Sequence, residues 1–318
     1  MKTAQVCGDK IVIKEMKDIV LEGKKGAIVK VLGCGLCGSD IVKFKHKTVP
    51  DGTVLGHEIV AEIIEINTDT NFKKGDRMVS SHHIPCGECS YCRHGNVSMC
   101  EHFKQTNIYP GGFSELVYLS EEHLQNVAYT VPENLSDEEI SFYEPLGCCI
   151  RAIKRCSLQK GDTVLIIGLG SIGLLMGKGL LAIGYKVYGC DLLPKRIELA
   201  QKSGIEPCTG EADAVFMTSG ADKAIDTALK YVRRGGKILV FSSTPNNAGY
   251  PNNDIYYKEL TILGSYSPSP QDLKESYNLI KSGGIALKGL TVTYPLSKIQ
   301  DAFNDTISNK IFKAYIKM

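Results

Sequence analysis

The segment TVLIIGLGSIGLLMGKGLLAIGYKVYGCD, residues 163–191, constrains the fold of this 318-residue chain more than any other stretch. An apolar run of strand length ends in glycines, a segment of helical length follows, and KVYGCD is a second strand. A strand, a glycine turn, a helix and a strand in that order make a βαβ unit, and parallel strands joined by helices imply a doubly wound sheet. Gly168, Gly170 and Gly173 form GLGSIG at the junction. The first glycine permits the tight turn, the second lets backbone approach a pyrophosphate, and the third lets helix pack on strand; Ser171 and Ile172 open a helix whose N-terminus faces the phosphate charge. An acid, Asp191, closes the next strand about twenty residues on, the spacing expected of a ribose-binding carboxylate. It can accept both ribose hydroxyls and repels a 2′-phosphate, so NAD is favoured over NADP. Lys195 and Arg196 keep NADP as the alternative, their plainer reading being a solvated helix start.

The pattern continues with PKRIELAQKSG as a helix, ADAVFMTSG as a strand, ADKAIDTALKYVRRGG as a helix, and GGKILVFSS and LTILGSY as strands. Only IEPCTGE separates the helix ending near Ser203 from the strand at Ala214, so one peripheral strand is expected to be missing or rudimentary. SPQDLKESYNLIKSGG opens on a Ser-Pro helix start, and the last stretch is too short for a domain and is expected to pack back onto the N-terminal part. Before about residue 130 the texture differs. KIVIKEM, GAIVKVLG and IVAEIIEIN are short strands separated by turn residues, which predicts a β-rich domain.

Twelve cysteines are many for a chain of this length. The charged N-terminus MKTAQVCGDKIVIKEMKDIV offers no apolar signal or membrane run, so a cytoplasmic, reducing setting is expected, where clustered cysteines bind metal. Cys86, Cys89, Cys92 and Cys100 lie within fifteen residues of a polar loop. Four thiolates at that spacing close a tetrahedron around Zn²⁺ and leave no position open. An iron–sulfur cluster also takes four cysteines, but no second set or trailing Cys-Pro accompanies these. His82, His83, His94 and His102 nearby are read as solvated loop residues, and Cys34 as a buried thiol. A second donor set is Cys37 in GCGLCGSD with His57 and Glu58 in LGHE, to which Glu144 in YEPLGCC adds a further carboxylate. A thiolate, an imidazole and a carboxylate from separate strand ends can hold zinc with one position open, as a catalytic site requires.

These motifs, GLCGSD, GHE, the cysteine quartet, GGFSE at Gly111 to Glu115, EPLGCC, GLGSIG and YPLSKIQDAF, together resemble the zinc-dependent medium-chain dehydrogenases, and within them the sorbitol and polyol dehydrogenase branch. The resemblance spans essentially the whole chain. It implies an α/β architecture with a GroES-like catalytic domain over 1–145, an inserted NAD-binding Rossmann domain over 146–265, and a segment 266–318 that returns to the catalytic domain. It implies two zinc ions per chain, one structural on the quartet and one catalytic on Cys37, His57 and either Glu58 or Glu144, the glutamate at 144 standing where classical alcohol dehydrogenases have a cysteine. Ser39 is implied as the hydroxyl that passes the substrate proton outward. Many relatives place a histidine three residues beyond that hydroxyl, and here the position is Val42, so the proton needs another exit.

The activity implied is oxidation of a secondary hydroxyl of a polyol or sugar alcohol by NAD. A threonine-type dehydrogenase or a carbonyl reductase of the same family is the enzyme alternative, and a non-catalytic cofactor-binding protein the alternative of another class. Lys43, Lys45, His46 and Lys47 after the serine, with Arg151, Lys154 and Arg155 after Glu144, are either a solvated face or recognition of a phosphate on the substrate. A net charge of +2 gives no general attraction to nucleic acid or membrane, so the expected partner is a small molecule. A homo-oligomer, dimer or tetramer, is implied by the resemblance alone. Cys7, Cys148, Cys149, Cys156, Cys190 and Cys208 complete the twelve as reduced, mostly buried thiols.

Overall fold

The computed structural model describes residues 1–221, 223–243 and 249–318. It forms two compact units, one of Met1–Glu144, Ser269–Gly283 and Leu287–Met318, the other of Pro145–Pro268 and Gly284–Ala286. No helix among the described residues is long and apolar enough to cross a membrane.

The first unit is built on the strand Gly26–Gly35, whose run of Ala, Ile and Val is buried along nearly its whole length. It pairs antiparallel with Glu58–Ile66, Leu116–Ser120 and the C-terminal strand Ala314–Lys317. Further strands, Arg77–Ser80 and Ala128–Thr130 on one side and Val292–Pro295 on the other, complete the sheet. Val29, Val31, Ile59, Ile63 and Val117 pack with Ala302 and Phe303 of the helix Ile299–Ile307 into one core. Each such side chain favours folding by about 1.5–3 kcal/mol relative to exposure. The pairing register sets Gly35 opposite Glu58, so the end of the central strand and the start of its neighbour deliver their flanking residues to one place.

In the second unit six parallel strands run in the order Glu206–Pro207, Lys186–Cys190, Thr163–Ile167, Ala212–Met217, Val232–Val240 and Thr261–Gly264. Numbered along the chain this is 3-2-1-4-5-6, the dinucleotide-binding order. The peripheral strand is a two-residue remnant, as the short IEPCTGE connection requires. Leu165, Ile167, Val215, Ile225, Leu229 and Ile238 form the core on one face. The helix expected over 221–236 is shorter, Ala224–Tyr231, and its residue 222 lies outside the described residues. Residues from Val232 onward join the sheet instead: Val232 pairs with Ala212, and Arg233 Nε donates to Asp213 Oδ1 at 2.6 Å. Strand pairing overrides the helical propensity of the arginines there.

Candidate metal and cofactor sites

Cys37 leaves the central strand and caps the helix Gly38–Lys45, with its Sγ accepting from the Ser39 backbone N–H at 3.4 Å and the Ser39 hydroxyl at 3.3 Å. The Asp40 carboxylate answers by accepting from the Cys37 N–H, which completes a capping box. Glu58 begins the neighbouring strand and His57 precedes it. As a result one donor atom each from Cys37, His57 and Glu58 lies within 4.8 Å of the others. Glu144, buried in the first turn of the helix Tyr143–Cys156, is outside this group.

Asp40 is completely buried and sits 3.5 Å from His57 Nδ1, which leaves Nε2 as the nitrogen for a metal. Burial works against charge on Asp40, but the His57 charge and its hydrogen bonds hold the carboxyl below its usual range. The same pair acts in reverse on His57, where Asp40 and then Cys37 outweigh burial and raise the imidazole well above its usual value.

Both oxygens of Glu58 are buried, Oε2 ion-paired with Lys313 Nζ at 2.5 Å and Oε1 without a hydrogen-bond partner. Lys313 comes from the far end of the chain, is 3% exposed, and lies 5.5 Å from the Phe142 ring centroid. Burial disfavours its charge, yet Glu58 and Cys37 raise its pKa above the ordinary lysine value. A Cβ on Gly35 would overlap the Glu58 carboxylate, so only glycine leaves it this position. A buried carboxylate with one oxygen unpartnered, next to a thiol and an oriented imidazole, suits a divalent cation with N, O and S donors. One consequence is measurable. Replacing Lys313 by Met leaves Glu58 without its ammonium and is expected to destabilise the zinc-free protein by about 3–5 kcal/mol, with a smaller loss when Zn²⁺ is present. Urea unfolding with and without zinc checks this, and an equal loss in both would contradict metal binding at Glu58.

Two residues read as solvated are not. His82 and His83 leave the strand Arg77–Ser80, whose Ser80 pairs with Ile59, and their rings pack in a tilted row toward the group: His57 to His82 at 4.5 Å, His82 to His83 at 4.0 Å, and His83 to Phe103 at 4.8 Å. Burial is the main reason both stay neutral, His82 well below the usual imidazole range and His83 lowered to about 4. His83 Nδ1 meets the Thr106 carbonyl, whereas His82 Nδ1 is buried with no partner. Only their position directly after a strand could have signalled this. His94 is exposed, on the Ser90 carbonyl, and His102 is half-buried, against the Glu122 carboxylate.

The quartet Cys86, Cys89, Cys92 and Cys100 converges, with Sγ–Sγ distances of 3.9 Å for 86–92, 3.6 Å for 89–92 and 3.5 Å for 86–100. A tetrahedron with Zn–S bonds of about 2.3 Å has edges of about 3.8 Å, so the thiols already stand at zinc spacing. Burial opposes charge on Cys100, but the backbone amides of Cys86 and Phe103 lower its pKa to about 6; Cys92, raised mainly by burial, reaches about 12.

In the second unit Gly168 has φ +95°, and a Cβ there would stand 2.8 Å from Ser219 Cβ. A Cβ on Gly173 would overlap the Gly168 carbonyl, which is the close helix–strand approach that only glycine allows. Gly170 caps the helix Ser171–Ala182, and the nearest atoms to a Cβ there belong to the Arg196 guanidinium at 3.7 Å. Asp191 holds this turn, accepting from Leu169 N at 2.7 Å, Leu193 N at 2.9 Å and Arg196 Nη1 at 3.3 Å. Gly168, Gly170, Ser171, Ile172, Gly173, Asp191 and Arg196 are therefore brought together around one helix start.

Residues 23–129 match the family described as alcohol dehydrogenase GroES-like domain, and residues 171–282 match the zinc-binding dehydrogenase family. The chain belongs to the zinc-dependent medium-chain dehydrogenases. It is 29% identical over 320 residues to the probable D-xylulose reductase A of Aspergillus clavatus, covering 91% of this chain and 88% of that protein. Identity is also 29% over 317 residues to the D-arabitol-phosphate dehydrogenase of Enterococcus avium, covering 91% and 89%. The crystal structure of an Escherichia coli oxidoreductase/dehydrogenase of unknown specificity involved in membrane biogenesis superposes with a TM-score of 0.88 at 25% identity, covering 99% of this chain and 98% of that one.

Within this dehydrogenase the basic residues of the sequence do not form one patch. Lys47 pairs with Asp9 at 2.8 Å, Lys45 and His46 are exposed, and Arg155 Nε donates to the Gly264 carbonyl in the second unit. Arg151 is buried and Lys154 exposed on the same helix. Lys43 alone of the first cluster is half-buried.

Proposed function

We propose that the chain is an oxidoreductase that moves a hydride between NAD and a polyol or sugar alcohol, interconverting a secondary hydroxyl and a ketone. The observation that carries this reading is the convergence of half-buried Cys37 with buried His57 and Glu58, with the Ser39 hydroxyl 3.3 Å from the Cys37 sulfur. Cys37, His57 and Glu58 would hold a catalytic zinc, Glu144 standing by as a further carboxylate, and the quartet would hold a structural one. When bound, zinc acidifies a coordinated hydroxyl and NAD accepts the hydride. The chain's own groups do the rest. Asp40 fixes the His57 ring and tautomer, and Ser39 Oγ takes the proton of the substrate hydroxyl and passes it to solvent, since Val42 offers no acceptor. Gly168, Gly170 and Gly173 with Ser171 and Ile172 seat the pyrophosphate, and Asp191, oriented by the Leu169 and Leu193 amides, receives the adenosine ribose. Arg196 is engaged with Asp191, which favours NAD over NADP. The names of the xylulose reductase and arabitol-phosphate dehydrogenase relatives support a polyol, plain or phosphorylated, as substrate.

We further take the chain to be cytoplasmic and a dimer or tetramer, an oligomeric state that light scattering on the eluting protein checks. The deciding experiment is a panel of polyols, polyol phosphates and amino alcohols offered to zinc-loaded protein, followed by nicotinamide absorbance. NADH production from at least one vicinal diol, slower with NADP, is expected. Inactivity across the whole panel, in both directions of the reaction, would refute the assignment.

A further inference from the structure

Lys43 lies one helical turn beyond Ser39 in the helix Gly38–Lys45, and residues four apart on a helix are neighbours on one face, with Cβ atoms about 5–6 Å apart. Ser39 touches the Cys37 sulfur, so the lysine stem starts one turn from the metal-ligand group. Lys43 is half-buried, and among the described residues its ammonium makes no ion pair and no hydrogen bond. Its neighbours differ, Lys47 being paired with Asp9 and Lys45 and His46 standing in solvent. The carboxylate on its own helix, Asp40, is fully buried and already bound by His57, the Cys37 amide and the Gly56 amide. The Lys43 charge still bears on Asp40 across one helical turn, without forming an ion pair with it. A half-buried ammonium with no ion pair or hydrogen bond of its own, one helical turn from the Ser39 hydroxyl, is a group that a bound oxyanion completes. A neutral polyol offers the ammonium hydroxyl oxygens only.

We infer that Lys43 anchors an oxyanion, phosphate or carboxylate, carried by the polyol whose hydroxyl reacts at Cys37, His57 and Glu58. This rests on the function proposed above. It divides the basic residues of the sequence by role: Lys43 reads substrate and the others do not.

The test compares pentitols and hexitols with their monophosphates and with the matching aldonates, using zinc-loaded protein and NAD, in the native chain, Lys43→Met and the exposed control Lys45→Met. The native chain is expected to prefer one anionic class, which identifies the source of the oxyanion. Lys43→Met should lower kcat/KM for that class about 10- to 100-fold, mainly through KM, the scale of one hydrogen bond to a charged group, and should lower it less for neutral polyols. Lys45→Met should match the native chain. Preference of the native chain for neutral polyols, or an equal loss on neutral and anionic substrates, would overturn the inference while leaving the proposed function standing. If no polyol of any kind reacts, the proposed function fails, and titration of zinc-loaded protein with inorganic phosphate decides Lys43 separately. Weaker binding by Lys43→Met than by the native chain sustains it, and equal binding overturns it.

Discussion

Cys37→Ser protein is expected to fold, to carry one zinc where the native chain carries two, and to lose hydride transfer by at least about 10³-fold, more than the 10- to 100-fold cost of losing a partner outside the ligand shell. The substitution isolates chemistry from folding because position 37 is also a helix N-cap. Serine is a better cap than cysteine, so the helix Gly38–Lys45 that carries Ser39 and Asp40 should persist. A serine hydroxyl, in contrast, stays protonated near neutral pH and is a poor zinc ligand, whereas the thiolate is a strong one. The Ser39 hydroxyl also loses the sulfur that orients it at 3.3 Å. Cofactor binding should survive, since the glycine turn and Asp191 belong to the second unit. Metal analysis, thermal unfolding and cofactor fluorescence on the same preparation separate these effects. Two zinc ions per chain, or activity above a tenth of native, would remove Cys37 from the ligand set.

How far the sequence could be read follows from how local each feature is. The glycine turn was legible because its strand, its three glycines and its helix are contiguous from Thr163 to Ala182, with Asp191 at the end of the next strand. The quartet was legible because four donors crowd into fifteen residues. The relation of Glu58 and Glu144 to Cys37 was not, because it depends on the register that sets Gly35 opposite Glu58. Lys313 gave no signal at all, being joined to Glu58 only through the pairing of Ala314–Lys317 with the central strand. His82 and His83 were misread for the same reason. Polar side chains after a strand look like loop until the pairing of Ser80 with Ile59 carries them against His57. The helix expected through Gly236 ended early where Arg233 found Asp213, an interaction twenty residues apart that no helical pattern contains. In each case short-range chemistry was written in the sequence, and what needed a partner from another strand was not.

The quartet leads to the second large expected effect. Between Ser81 and Thr106 regular structure is limited to the short helix Ser90–Arg93, one 3₁₀ turn Val97–Met99 and the helix Glu101–Gln105. Isolated helices of this length are unstable in water, and Cys89, which caps the first, makes no side-chain capping bond. Zinc at four thiolates stabilises comparable small folds by about 10–16 kcal/mol, far beyond what these turns supply. Cys89→Ser should therefore release the structural zinc and open the loop. Limited proteolysis followed by mass spectrometry is expected to show rapid cleavage between residues 86 and 100, and a loss of as little as 3 kcal/mol would lower Tm by about 6–12 °C. The base of the loop should transmit part of the damage. Thr106 holds the Ile84 amide at 2.9 Å and meets His83 Nδ1, and the His83 ring packs on His82, which packs on His57. Opening the loop frees that row of rings, so activity should fall in Cys89→Ser while the metal at Cys37 remains. A closed four-sulfur shell offers no position for substrate, so this fall is a packing effect, and it should be smaller than that of Cys37→Ser. Retention of both metals with native protease resistance in Cys89→Ser would show that the loop stands without its zinc.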